Sequence, residues 1–142
     1  MKIYLFVIIL FLSLAVKGQS KDLRSIGIYS VNFFTSTITS INCDSFFSQF
    51  EGWIDTSVCY SRDSIIILDN FLDNIKYAAE NTPLNTRAKI HFVTKSGRKV
   101  SICIDMFQVA VDDKLIVDYP DFFKYLRALV PKKQFLRKIP GN

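Results

Sequence analysis

The chain has 142 residues, of which 49% are hydrophobic and 14% aromatic, and its 18 Lys and Arg outnumber its 13 Asp and Glu to give a formal charge of +5. That apolar content excludes a disordered chain, and the length supports one core rather than several domains. A single histidine, His91, excludes every metal or catalytic motif that needs two, H-E-x-x-H among them.

The first residues read as an export signal. Lys2 supplies a positive start, Ile3–Val16 is apolar or small throughout, and Val16-Lys17-Gly18 offers small residues at −3 and −1 before Gln19. The apolar run is shorter than the roughly 20 residues that span a bilayer. Residues 1–18 are therefore expected to be a cleaved signal peptide and 19–142 a single domain, periplasmic or secreted, with no transmembrane helix left after cleavage. Removal of Lys2 and Lys17 lowers the charge from +5 to +3. Asn-x-Ser/Thr is absent from the sequence, which fits a bacterial product.

Next in chain order, Ile26–Phe34 alternates Tyr29, Val31 and Phe33 with Ser30 and Asn32, the pattern of a half-buried strand. Thr35–Asn42 can serve as a second strand or an extended connector. Asp44 is placed to cap a short helix carrying Phe46, Phe47 and Phe50, which Gly52 ends. Trp53–Tyr60 reads as a strand. A long helix is expected over Asp63–Glu80, with Leu68, Phe71, Leu72, Ile75 and Ala79 as its apolar stripe and Pro83 as its stop.

The stretch Ala88–Val130 can be taken to register. A two-residue loop at Ser96-Gly97 would pair Phe92 with Ser101 and mix apolar with polar residues on one face. A three-residue loop, Lys95-Ser96-Gly97, pairs Phe92 with Val100 and Ile90 with Ile102, and puts Gly97 where a left-handed residue is required. Asp112-Asp113-Lys114 makes the next reversal. Asp118 is placed to cap a helix with Pro120 in its first turn and Asp121 in capping-box position. Phe122, Tyr125, Leu126 and Leu129 form its stripe, and Pro131 ends it. Alternating strands bury one face, so the expected class is α+β: an antiparallel sheet of five or six strands with two main helices on one face.

Three cysteines remain in the exported chain. An oxidising compartment allows one disulfide and one free thiol, with Cys43–Cys59 closing a short loop; three reduced cysteines are the alternative. No spacing matches a zinc or thioredoxin motif, and no glycine-rich loop suits a phosphate cofactor, so none is expected.

The candidate chemistry is sparse. The chosen register sets His91 opposite Ser101 with Cys103 on the diagonal, but a mid-strand serine lacks the sharp turn and oxyanion donors that a nucleophile uses. Asp112-Asp113 is ordinary turn chemistry rather than a carboxylate pair. Charge is segregated: Asn42–Thr82 holds seven acids against Arg62 and Lys76, while Arg87, Lys89, Lys95, Arg98 and Lys99 follow without an acid, as a solvated face would. The end of the chain is basic, with Lys124, Arg127, Lys132, Lys133, Arg137 and Lys138 as candidate contacts to an anionic lipid or glycan surface; nucleic acid is the least expected partner. The reading that follows is a small exported binding or interaction module, an inhibitor- or immunity-like protein being one form of it. The alternatives are an enzyme using His91 or clustered carboxylates, and an anionic-surface binder acting through the basic segment 131–142.

Overall fold

The structure is a computed structural model, and it describes residues 25–80, 82–117 and 119–136. The expected signal segment, the capping role of Asp118, and Arg137 and Lys138 lie outside the described residues.

The central hairpin forms in the register that turn chemistry and burial require. Strand β4 (Ala88–Val93) pairs with β5 (Lys99–Ile104), joining Phe92 to Val100 and Ile90 to Ile102. Gly97 has φ +86°, and Thr94 and Arg98 close the loop through a 2.9 Å backbone bond. The next hairpin joins β6 (Val109–Val111) to β7 (Lys114–Val117) through Asp112 and Asp113, both with positive φ. A two-residue turn of that kind matches the twist of its strands. Upstream, β1 (Ile26–Ser30) lies between β4 and β2 (Asp55–Cys59). Among the described residues the sheet has seven strands, all antiparallel; with β3 at Lys76–Tyr77 their order is β2-β1-β4-β5-β6-β7-β3.

The seventh strand, β3 (Lys76–Tyr77), occupies sequence expected to be helical. The long helix, α2 (Arg62–Leu72), starts at its Ser61 cap and stops about two turns short of the expected end at Glu80, because Asn74 turns the chain. The Asn74 side chain donates to the Asn70 carbonyl at 2.8 Å, and Lys76 and Tyr77 then pair with Val117 and Ile116. Ile75 still packs on the core, so the apolar spacing is satisfied without the last helical turns.

Helix α2 and the C-terminal helix α3 (Pro120–Leu129) cover one face of the sheet. Ile65 and Leu68 from α2, and Phe122 and Leu126 from α3, bury against Ile28, Ile90, Ile102, Ile104 and Val111. The fold is thus α+β, as expected, with two main helices on one face and a third, short helix elsewhere.

That short helix, α1 (Phe46–Gln49), sits on the opposite face within a connector over residues 31–50. Its cap is Ser45 rather than Asp44, and the Asn42 side chain receives the Ser45 N–H at 2.8 Å. Phe46 and Phe50 bury with Val31 and Ile41, against Tyr29 of β1. The connector rests on two cations that the sequence reading left in solvent. Arg87 is 5% exposed; it donates to the Thr35 carbonyl at 2.9 Å and to the Asn85 side chain at 2.7 Å. Lys89 is 9% exposed and donates to the Cys43 carbonyl at 3.0 Å. Burial pulls the Arg87 pKa down and the charge of Asp105 acts against that. The chain over 83–104 is therefore not a uniformly solvated basic face.

The disulfide is Cys43–Cys103, not Cys43–Cys59. Residues opposite one another in an antiparallel ladder share a face. Cys59 is opposite Ile26, whose side chain is buried beneath the helices. Cys103 is opposite Lys89 and Ala110, on the connector's face, where Cys43 lies. Short sequence separation suggested the first pairing, but the sheet stands between its two sulfurs.

Candidate functional site

The connector covers only part of the outer sheet face. Beyond it, a cleft of about 460 Å³ is lined by Gly27, Tyr29, Val58, His91, Val93 and Ser101, with Lys99 and Asp112 at the hairpin end. Its position follows from strand parity. Gly27 of β1 is opposite Val58 of β2 on one side and His91 of β4 on the other, and His91 is opposite Ser101 of β5. These residues form one row across four strands, on the face turned away from α2 and α3. Gly27 adds no side chain to that row and leaves room for the Tyr29 ring, which a Cβ there would approach to 3.2 Å. A glycine inside a strand often marks such a gap, and it was the one signal in the sequence that could have located the site.

His91 forms the wall on the connector side. Its ring lies 5.5 Å from that of Tyr29 and 5.9 Å from that of Phe47, centroid to centroid. Burial pulls its pKa below the ordinary imidazole value, and the nearby Lys89 charge lowers it further. The imidazole is thus held neutral at neutral pH, able to offer one donor and one acceptor. Ser101 faces it as the hairpin register requires, yet the Ser101 hydroxyl is buried without a hydrogen-bond partner. The third member of the candidate constellation, Cys103, is taken up in the disulfide. The geometry therefore brings His91 and Ser101 side by side without coupling them.

At the hairpin end, charge is largely satisfied. Arg98 pairs with Asp112 at 2.8 Å, and the other Asp112 oxygen receives the Ser101 N–H at 3.0 Å. Asp112 thereby clips the β6–β7 turn onto β5. Asp113 is the second residue of that turn, and both aspartates take the positive φ that the reversal requires. Among the described residues no cluster of three His, Cys, Asp or Glu side chains could hold a metal ion.

Among the described basic residues of the C-terminal segment, Arg127 and Lys133 engage groups of the fold. Residues 131–136 pack onto the fold through a 3-10 turn, Lys132–Phe135. The Phe33 N–H donates to the Gln134 carbonyl at 2.8 Å, and the Phe33 and Phe135 rings lie 4.4 Å apart. Lys133 pairs with Asp55 at 3.0 Å, and the same carboxylate receives the Gln134 side chain. The Arg127 guanidinium lies 4.5 Å from the Phe135 ring centre. Lys124 and Lys132 are exposed. No helix among the described residues is long and apolar enough to cross a membrane.

Comparison of the chain with protein-family models, with curated proteins and with solved structures found no match, so the reading of this site rests on its residues alone.

Proposed function

We propose that the chain is a small exported binding module and that its ligand, a small and largely apolar group, occupies the cleft on the open face of the sheet. The observation that carries this reading is the cleft itself: a hollow of about 460 Å³ floored by a strand glycine and walled by Tyr29, Val58, Val93 and a neutral His91. Small-molecule sites are concave, mostly apolar and furnished with a few polar groups. Binding is favoured over catalysis because the His91 imidazole and the Ser101 hydroxyl do not engage one another and no activated nucleophile stands beside them. Export is supported by the Lys2–Gly18 pattern and by a disulfide between Cys43 and Cys103, a bond that persists in oxidising compartments.

The test is to fill the hollow. Titration with anilinonaphthalene sulfonate, an amphipathic fluorescent probe, should show saturable one-site binding to the wild type. Gly27→Leu, which must push aside the Tyr29 ring that walls the cleft, should abolish that binding while the circular-dichroism spectrum stays that of the wild type. Equal binding by both proteins would overturn the proposal.

A further inference from the structure

The two ends of the sheet are finished differently. At one end β3 is only two residues long and carries Lys76, so it offers little backbone to another chain. Short, lysine-bearing edges are a common guard against unwanted pairing. At the other end β2 pairs with β1 along five successive residues without a bulge, and no described strand lies on its outer side. Its sequence, Asp55-Thr-Ser-Val-Cys59, contains no proline or lysine, and its one charge, Asp55, is paired with Lys133. Large apolar side chains are exposed in and beside it: Trp53 at 74%, Tyr60 at 68% and Val58 at 48%. An unguarded edge with aromatic flanks is a template for another strand.

We infer that β2 pairs antiparallel with β2 of a second copy of this chain, joining two seven-stranded sheets into one. Opposite residues must lie on the same face, which restricts a two-fold pairing to registers centred on a residue. Only the register centred on Ser57 overlaps all five residues of the strand. It sets Thr56 opposite Val58 of the other copy on the open face, and Asp55 opposite Cys59 on the helix face. No like charges meet. Tyr60 of each copy comes beside Ile54 and Trp53 of the other, which covers aromatic surface that β2 otherwise leaves in solvent. Because Val58 also walls the cleft, the two clefts would lie next to each other across the two-fold axis.

The test is the solution mass of the protein purified after expression of the full chain. Sedimentation equilibrium should give twice the protomer mass. Val58→Lys, and separately Thr56→Lys, should weaken association by about tenfold or more, with an unchanged circular-dichroism spectrum, by placing cations on an exposed edge. The doubly substituted protein Ser57→Cys, Cys59→Ser should form a covalent dimer under mild oxidation that reductant reverses. A wild type that remains a monomer, or that gains mass only with a different polypeptide, would overturn the assignment. So would a dimer that persists in Val58→Lys while the Ser57→Cys protein fails to cross-link. If the lysine variants fail to fold, the cysteine cross-link alone decides: its formation supports the pairing and its absence overturns it.

Discussion

Cys43 and Cys103 are bonded to each other across the connector face of the sheet, 60 residues apart in sequence, with Cα atoms 5.8 Å apart. The bond ties the segment just before α1 to the C-terminal end of β5, where Cys103 is the cross-strand partner of Lys89, whose ammonium donates to the Cys43 carbonyl. One half of this face is thereby held closed while the other half, with the cleft, stays open.

Removing that tie should be costly. Closing a loop of this length restricts the unfolded chain by about 4 kcal/mol in the chain-entropy picture. Cys43→Ser with Cys103→Ser, or reduction of the wild type, is expected to lower unfolding free energy by several kcal/mol in urea. Cys59→Ser should change it little. Peptide mapping should recover residues 43 and 103 in one linked fragment.

The β4–β5 loop should be sensitive at one position. A Cβ at Gly97 meets nothing within 4 Å, so the cost of Gly97→Ala comes from its φ of +86° alone. That cost is expected to be about 1–2 kcal/mol by denaturant titration. Gly97→Asn should recover part of it, because Asn tolerates the left-handed region better.

His91 should make stability depend on pH in a defined direction. Its folded pKa is lowered beneath the ordinary value of 6.5, first by burial and then by Lys89. The unfolded chain therefore takes up a proton at higher pH than the folded one. The His91 contribution to stability is fully present above 6.5 and is lost progressively as pH falls below it. His91→Gln should flatten the slope of the melting temperature in that window while leaving its value at pH 8 nearly unchanged. An identical slope in both proteins would contradict this assignment.

The C-terminal segment should matter for folding before it matters for any charged surface. A chain ending at Pro131 loses Gln134, which is 4% exposed, and the Phe135 ring packed on Phe33. Its stability is expected to fall by about 2 kcal/mol or more. Lys124→Glu with Lys132→Glu touches only exposed side chains and should stay within about 0.5 kcal/mol of wild type. Loss of binding to anionic vesicles by the charge-reversed protein would therefore report surface attraction; loss by the shortened chain alone would report unfolding.

Local chemistry was sufficient wherever it had one answer. Gly97 could hold a three-residue loop, and the alternation of Ile90 and Phe92 with Lys89 and His91 could bury only one way, so the hairpin register and the α+β class were legible in the residues. The same rule placed His91 opposite Ser101. The extent of α2 was not legible, because Ile75 suits the core equally from a helix or from the turn that follows, and only pairing of Lys76 and Tyr77 with β7 chose between them.

Position across the sheet was decided in three dimensions. Cys43 is 16 residues from Cys59 and 60 from Cys103, yet strand parity puts Cys59 under the helices and Cys103 under the connector. Arg87 and Lys89 carry the same charge as Lys95 and Lys99, but only they lie beneath residues 31–50, where carbonyls replace water around their donors. The cleft is of the same kind: Gly27, Val58, His91 and Ser101 come from four strands spread over 75 positions of the chain. Periodicity specifies which side of a strand each residue occupies; which strands become neighbours depends on how the whole core closes.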